Sequence, residues 1–288
     1  MALWRIDVGG TPRLAAGPVA GGPQVLLPAE LRISTLLAGD GAAFAEAAGR
    51  SAGERAPAGA RVLAPVDEQE IWAAGVTYER SREARMEESK IPDQYDRVYD
   101  AERPEVFFKA LGWRARGPNE AIGIRADSTW DVPEPELGLV ISAAGRVVGY
   151  TIGNDVSSRS IEGENALYLP QAKSFTGSCA LGPCLVPVGE APPLRDLTIA
   201  VEIMRGPRKL YADSVSVTRM RRTPEELADW LTRAQEFPQG VVLLTGTALV
   251  PPSEITLEAG DVVTIRIDGL GELKNAATRV GRAGKRPA

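Results

Sequence analysis

Glu134 and Glu136, separated by one proline, are the residues of this chain whose types and spacing first suggest chemistry. In an extended chain, side chains two apart point to the same face. Pro135 lacks a backbone donor and stiffens the extended backbone between them. Two carboxylates aimed at one point repel, and a divalent cation is the simplest compensation. On its own the pair also fits an exposed strand edge, because exposed charges are common.

Asp155 offers a third carboxylate. It ends the segment Gly149-Tyr150-Thr151-Ile152-Gly153-Asn154-Asp155, which begins as an apolar strand and closes in a polar turn. Ala143-Ala144-Gly145 reads as the turn between this strand and the one that starts at Glu136. Folding back there would carry Asp155 towards Glu134 and Glu136. Three carboxylates and water make an oxygen-only site, suited to Mg²⁺, Mn²⁺ or Ca²⁺ over zinc or copper. Taken singly, Asp155 is also a turn residue bonded to its own backbone, and Arg159 an ordinary surface ion-pair partner. Lys173 lies in a turn-rich stretch beside Ala172 and Phe175. Partly buried, it would have a lowered pKa and serve as a base; on the surface it would be a solvated lysine.

The chain has no histidine. That excludes Ser-His-Asp and Cys-His nucleophiles, HExxH metal sites and imidazole proton shuttles. Acid–base work falls to Glu, Asp, Lys, Tyr, hydroxyls or bound water. Cys179 and Cys184 are the only cysteines, too few for a disulfide framework. They are expected to be structural thiols in a reducing cytoplasm. A net charge of −5 provides no general attraction to nucleic acid or an anionic membrane. No apolar run approaches the ~18 residues of a membrane span, and no signal-peptide pattern opens the chain.

The elements that must position these groups are mostly strands. Three hairpins are predicted: Glu136 to Ser142 with Arg146 to Ile152, Leu197 to Met204 with Lys209 to Val217, and Asp261 to Ile267 with Glu272 to Val280. Thr223-Pro224-Glu225-Glu226 opens one clear helix with an N-cap, a Pro at N1 and a Glu at N3. Ala42 to Ala48 reads as a second. The fold class expected is α+β, mainly β, with a rolled or barrel-like sheet. A small N-terminal domain is expected over residues 1–65 and a catalytic domain over 66–288. Glu79 to Arg103 is charged nearly all round, either a solvated helix or a lid that orders over a substrate. Arg279 to Ala288 reads as a loose basic tail.

Taken together, these motifs resemble the fumarylacetoacetate hydrolase family. The resemblance rests on Glu134-Pro135-Glu136-Leu137, on Gly149-Tyr150 through Gly153-Asn154-Asp155 to Arg159, on Gln171-Ala172-Lys173, and on Thr245-Gly246-Thr247, in that order. It implies a mixed β-roll behind a small N-terminal domain, a homodimer or homotetramer, and Mg²⁺, Mn²⁺ or Ca²⁺ held by Glu134, Glu136 and Asp155. Gly75-Val76-Thr77-Tyr78-Glu79-Arg80 and Ser157-Ser158-Arg159-Ser160-Ile161-Glu162 resemble the branch that dehydrates 2-keto-3-deoxypentonates. That implies a small 2-oxo sugar acid as substrate and 2,5-dioxopentanoate as product. Hydrolase members pair a His with a Glu to activate water, which this chain cannot do.

On that resemblance Lys173 is expected as the base and Glu105 as the acid, with the reverse assignment open. Lys109, Thr247 and Arg82 are expected to bind substrate, and Arg159 to orient a metal ligand. The C4 configuration, arabinonate- or xylonate-derived, also stays open. The alternatives are an acylpyruvate hydrolase or oxaloacetate decarboxylase on the same metal site, and a non-catalytic 2-oxo acid binder.

Overall fold

Apolar residues recurring at every second position build two mixed sheets that share one core. The computed structural model describes residues 1–80 and 97–282. The N-terminal meander is β1 (Ala2–Val8), β2 (Thr11–Gly17) and β3 (Val25–Leu26). Two short helices follow, α1 (Ile33–Leu37) and α2 (Ala42–Ala48); their Leu36, Leu37 and Phe44 cluster with Leu3, Leu14 and Leu185. Next come β4 (Glu70–Gly75), β5 (Glu105–Leu111), β6 (Ile122–Arg125) and β7 (Asp131–Val132). The first predicted hairpin is β8 (Pro135–Ile141) and β9 (Val147–Asp155). β10 (Ser157–Ser158), α3 (Arg159–Glu164), α4 (Leu169–Lys173) and β11 (Cys179–Pro187) complete the central region. The second and third hairpins are β12 (Thr198–Arg205) with β13 (Arg208–Ser216), and β15 (Val262–Ile267) with β16 (Gly271–Val280). Between them lie α5 (Pro224–Thr232) and β14 (Val241–Leu244). Thr223 caps α5, its hydroxyl accepting from Glu226 N–H at 3.1 Å.

The larger sheet has the order β3-β2-β1-β11-β9-β8-β14-β4-β5, parallel only between β14 and β4. The smaller has the order β13-β12-β15-β16-β6. All seven residues of β8 are buried, as expected of a central strand covered on both faces. Leu137, Leu139 and Ile141 point into the core between the sheets, meeting Ile199, Ile203 and Ile265, while Val140 faces the cluster under α1 and α2. Each such side chain contributes about 1.5–3 kcal/mol by leaving water. The residues expected as an N-terminal unit supply β1 to β3, α1 and α2, and β1 meets the rest where Leu3 opposes Leu185 of β11. Within the stretch expected as a lid, residues 81–96 lie outside the described residues, as does the end of the basic tail. Among the described residues no helix is long and apolar enough to cross a membrane.

Candidate active site

The register of the central hairpin decides where its carboxylates go. Pro135 opposes Asn154 and Glu136 opposes Gly153. Just beyond the ladder, Asp155 N–H donates to the Glu134 carbonyl at 2.9 Å, and Glu134 N–H donates to Asn154 Oδ1 at 3.2 Å. Glu134, Glu136 and Asp155 are thereby gathered with one carboxylate oxygen of each within 4.8 Å of the others. They are 4%, 1% and 1% exposed. Burial holds the Glu136 carboxyl well above its ordinary range, and the charges of Asp155 and Glu134 push it further. Lys173 and the Gly246 N–H, donating to Glu136 Oε2 at 2.6 Å, act the other way.

Lys173 closes the cluster from α4. Its Nζ donates to Glu134 Oε2 at 2.7 Å, to Asp155 Oδ2 at 3.1 Å and to Ser157 Oγ at 2.5 Å. The Ser157 hydroxyl donates in turn to the Asp155 carbonyl at 2.8 Å. Nζ also lies 5.7 Å from the centroid of the Phe107 ring. Arg159 Nε donates to Glu134 Oε1 at 3.1 Å, so both Glu134 oxygens are held. A narrow cleft opens over this group, lined by Gly75, Glu105, Phe107, Glu134, Asp155, Arg159, Glu162, Lys173 and Thr247, among others.

Glu105 begins β5 directly opposite Gly75 of β4. A Cβ on Gly75 would stand 2.0 Å from Glu105 Oε2, so the glycine is what lets this carboxylate lie across the strand into the cleft. Gly246 has φ +85°, and a Cβ there would sit 2.2 Å from Thr77 Oγ1. Thr77 Oγ1 anchors the turn by donating to the Thr245 carbonyl at 2.6 Å. Thr247 faces the cleft while its Oγ1 accepts from Leu249 N–H at 3.0 Å.

Seven residues expected from the sequence therefore converge: Glu134, Glu136, Asp155, Lys173, Glu105, Thr247 and Arg159. Lys109 does not share the role expected of it. Its side chain is wholly buried and ion-pairs with Asp155 Oδ1 at 2.5 Å. It also donates to the carbonyls of Val156, at 3.1 Å, and Lys173. Enclosed by two backbone carbonyls and the Asp155 carboxylate, its Nζ is not among the groups that line the cleft. Lys109 instead holds Asp155 against the end of α4. Arg82 lies outside the described residues. Glu162, Ser157, Phe107 and Gly75 went unnoticed as site residues. Glu162 had a local signal, standing three residues after Arg159 and so on the same face of a helix. Ser157 had one too, standing two residues after Asp155, whereas Phe107 and Gly75 had none because strand pairing brings them in.

The donor set fits a hard divalent cation. Glu105, Glu134, Glu136, Asp155 and Glu162 line or adjoin the cleft, against Lys109, Arg159 and Lys173. Counting the described residues alone, with every group ionised, these side chains carry two more negative than positive charges. Burial first, and the facing Asp155 and Glu134 charges second, raise the Glu136 carboxyl. Oxygen-only ligands suit magnesium.

A family model described as "Fumarylacetoacetate (FAA) hydrolase C-terminal" matches residues 70–278. The chain is 52% identical over 216 residues to a probable 2-keto-3-deoxyxylonate dehydratase of Haloferax volcanii, covering 75% of this chain and 74% of that one. It is 44% identical over 217 residues to 2-dehydro-3-deoxy-D-arabinonate dehydratase of Saccharolobus solfataricus, covering 74% and 73%. A solved structure of 2-keto-3-deoxy-D-arabinonate dehydratase complexed with magnesium and 2,5-dioxopentanoate superposes with a TM-score of 0.84 at 34% identity, covering 98% of this chain and all of that one.

Proposed function

We propose that this chain, which belongs to the fumarylacetoacetate hydrolase family, is a Mg²⁺-dependent hydro-lyase that converts a 2-keto-3-deoxypentonate to 2,5-dioxopentanoate and water. The observation that carries this reading is the buried carboxylate triad with Lys173 across it, in a chain so similar over its length to dehydratases. The arabinonate and xylonate names of the relatives do not compete within the D series. Oxidation at C2 and loss of the C3 hydroxyl erase both centres that distinguish the two acids, so one keto acid arises from either.

Mg²⁺ held by Glu134, Glu136 and Asp155 supplies a Lewis acid for the 2-oxo group. As it stands, Lys173 directs three hydrogens at Glu134, Asp155 and Ser157, the posture of an ammonium. It serves as base once those carboxylates are engaged by the metal. Lys173 then takes a C3 proton, and Glu105 gives a proton to the departing C4 hydroxyl. Loss of a C5 proton and return of one to C3 give the C4–C5 enol, whose hydroxyl proton passes to C4 as the aldehyde forms. The reaction releases one water and needs no redox partner. Thr247 and the neighbouring turn receive the substrate carboxylate. Arg159 fixes the direction of Glu134, as outer partners of metal ligands do.

The division into residues 1–65 and 66–288 belongs to the same reading, supported by the family match beginning at residue 70. From the family resemblance we infer a cytoplasmic homodimer or homotetramer, with sedimentation velocity as the check on assembly. The decisive experiment is turnover of both C4 enantiomers of 2-keto-3-deoxypentonate by the metal-loaded protein, following 2,5-dioxopentanoate. Metal-dependent turnover, lost in Glu136→Gln, is expected. A folded, magnesium-loaded protein with no turnover of either enantiomer would refute the assignment and direct the search to acylpyruvates and oxaloacetate.

A further inference from the structure

The most capacious cavity described lies away from the carboxylate cluster, where the N-terminal meander meets the segment after β5. It has a volume of about 510 Å³, within the ~300–1,000 Å³ usual for small-molecule sites. Four arginines line it: Arg5, Arg13, Arg32 and Arg116. They come from β1, β2, the start of α1 and the loop before β6, so tertiary folding alone assembles them.

The cavity is rich in guanidinium donors that form no ion pair among the described residues, although Asp67 and Glu120 lie close enough to act on Arg5. Arg5 and Arg13 donate only to backbone carbonyls, of Ala64 at 3.3 Å and of Leu27 at 2.8 Å. Arg32 donates to the carbonyls of Ala29 and Leu31. No acceptor among the described residues meets the Arg116 guanidinium, whose Nε is buried. None of the four makes an ion pair among the described residues. Three carboxylates do line the cavity. Asp67 is committed to the start of α1, accepting from Ile33 N–H at 2.6 Å and Ser34 N–H at 3.1 Å, and also from Gln69. Glu120 is engaged by Gly117 N–H at 2.8 Å and by Arg61 at 3.3 Å. Glu68 is exposed. Trp113 stands at the rim, 72% exposed.

Guanidinium forks that make no ion pair of their own match the oxygens of carboxylate or phosphate groups, which they grip two bonds at a time. We propose that this cavity is a second binding site, for a small dianion bearing carboxylate or phosphate oxygens, separate from the cleft where the substrate reacts. Arg13 and Arg116 supply its free donors, and Trp113 stands at its edge. The site does not depend on the dehydratase reading, since none of its residues belongs to the carboxylate cluster.

The test is titration of the purified, magnesium-loaded protein with succinate and, separately, with inorganic phosphate. Sodium chloride at matched ionic strength is the control, and calorimetry and tryptophan fluorescence are the readouts. Saturable binding of at least one dianion is expected, weakened tenfold or more in both Arg13→Gln and Arg116→Gln. In Trp113→Phe the heat should remain and the fluorescence change should disappear. Preference for succinate or for phosphate identifies which oxygen chemistry the site takes. Should Arg116→Gln fail to fold, Arg13→Gln and the exposed Arg32→Gln decide the matter. Binding no stronger than the chloride control overturns the proposal, as does binding unchanged in the arginine variants. So would a variant that alters the oligomer, by sedimentation, without altering dianion binding.

Discussion

Gly75→Ala is the sharpest test of the site, because it moves a candidate acid without touching its chemistry. The added methyl would lie 2.0 Å from Glu105 Oε2 and 2.7 Å from its Cδ. Contact requires about 3.5 Å, so the carboxylate must retreat by more than about 1 Å. Gly75 has no left-handed backbone to strain, and the obstructing atoms end a flexible side chain. Folding should therefore be nearly unaffected, within ~1 kcal/mol, while a proton donor displaced by about 1 Å should lower kcat on the order of 100-fold. The assay is steady-state turnover of 2-keto-3-deoxypentonate beside a thermal melt, with Glu105→Gln as the reference. Loss of kcat in both variants with a preserved melt is expected. Full kcat in Gly75→Ala would refute the reasoning, since Glu105 would then have no need of the place the glycine leaves for it.

Magnesium should raise the melting temperature of the native protein, by about 2.7 kcal/mol of stability at one hundred times its Kd, and should do little for Glu136→Gln; equal stabilisation of both would remove Glu136 from the ligand set. Chelation with EDTA should abolish turnover, and added Mg²⁺ should restore it. Burial pushes the Asp131 carboxyl up to about 6, above its unfolded range near 4. The fold therefore disfavours its ionised form, and stability contributed by the neutral form is lost as pH rises from about 4 to about 6. Asp131→Asn should flatten that slope and gain about 1 kcal/mol at pH 7, or roughly 2–4 °C in a melt; an unchanged slope would contradict it. Gly246→Ala meets Thr77 Oγ1 at 2.2 Å in a left-handed turn at φ +85°. It should cost at least about 2 kcal/mol and most of the turnover, read by denaturant titration and assay.

The sequence by itself determined what could be decided between neighbours on the chain. Alternation, turn residues and the capping box specify the three hairpins and α5 because each depends on contacts a few residues apart. The carboxylate triad was legible for the same reason. Glu134, Glu136 and Asp155 belong to one hairpin, whose register follows from its own turn. The missing histidine narrowed the chemistry before any fold was known. Tertiary structure decided everything carried by distant strands. Gly246, in the turn after the strand beside β8, donates to Glu136, and Gly75, at the end of the next strand over, makes room for Glu105. Lys109 and Lys173 are both fully buried lysines, and nothing local separates their roles. Only the placement of acceptors does: one ammonium is consumed by two backbone carbonyls and the far side of Asp155, while the other lines the cleft. The arginine cavity makes the same point, since its four guanidinium groups come from separate elements and meet only when the meander closes against the loop after β5. A charged side chain's function rests on what surrounds it in three dimensions, and in a sheet most of those neighbours come from strands remote in sequence.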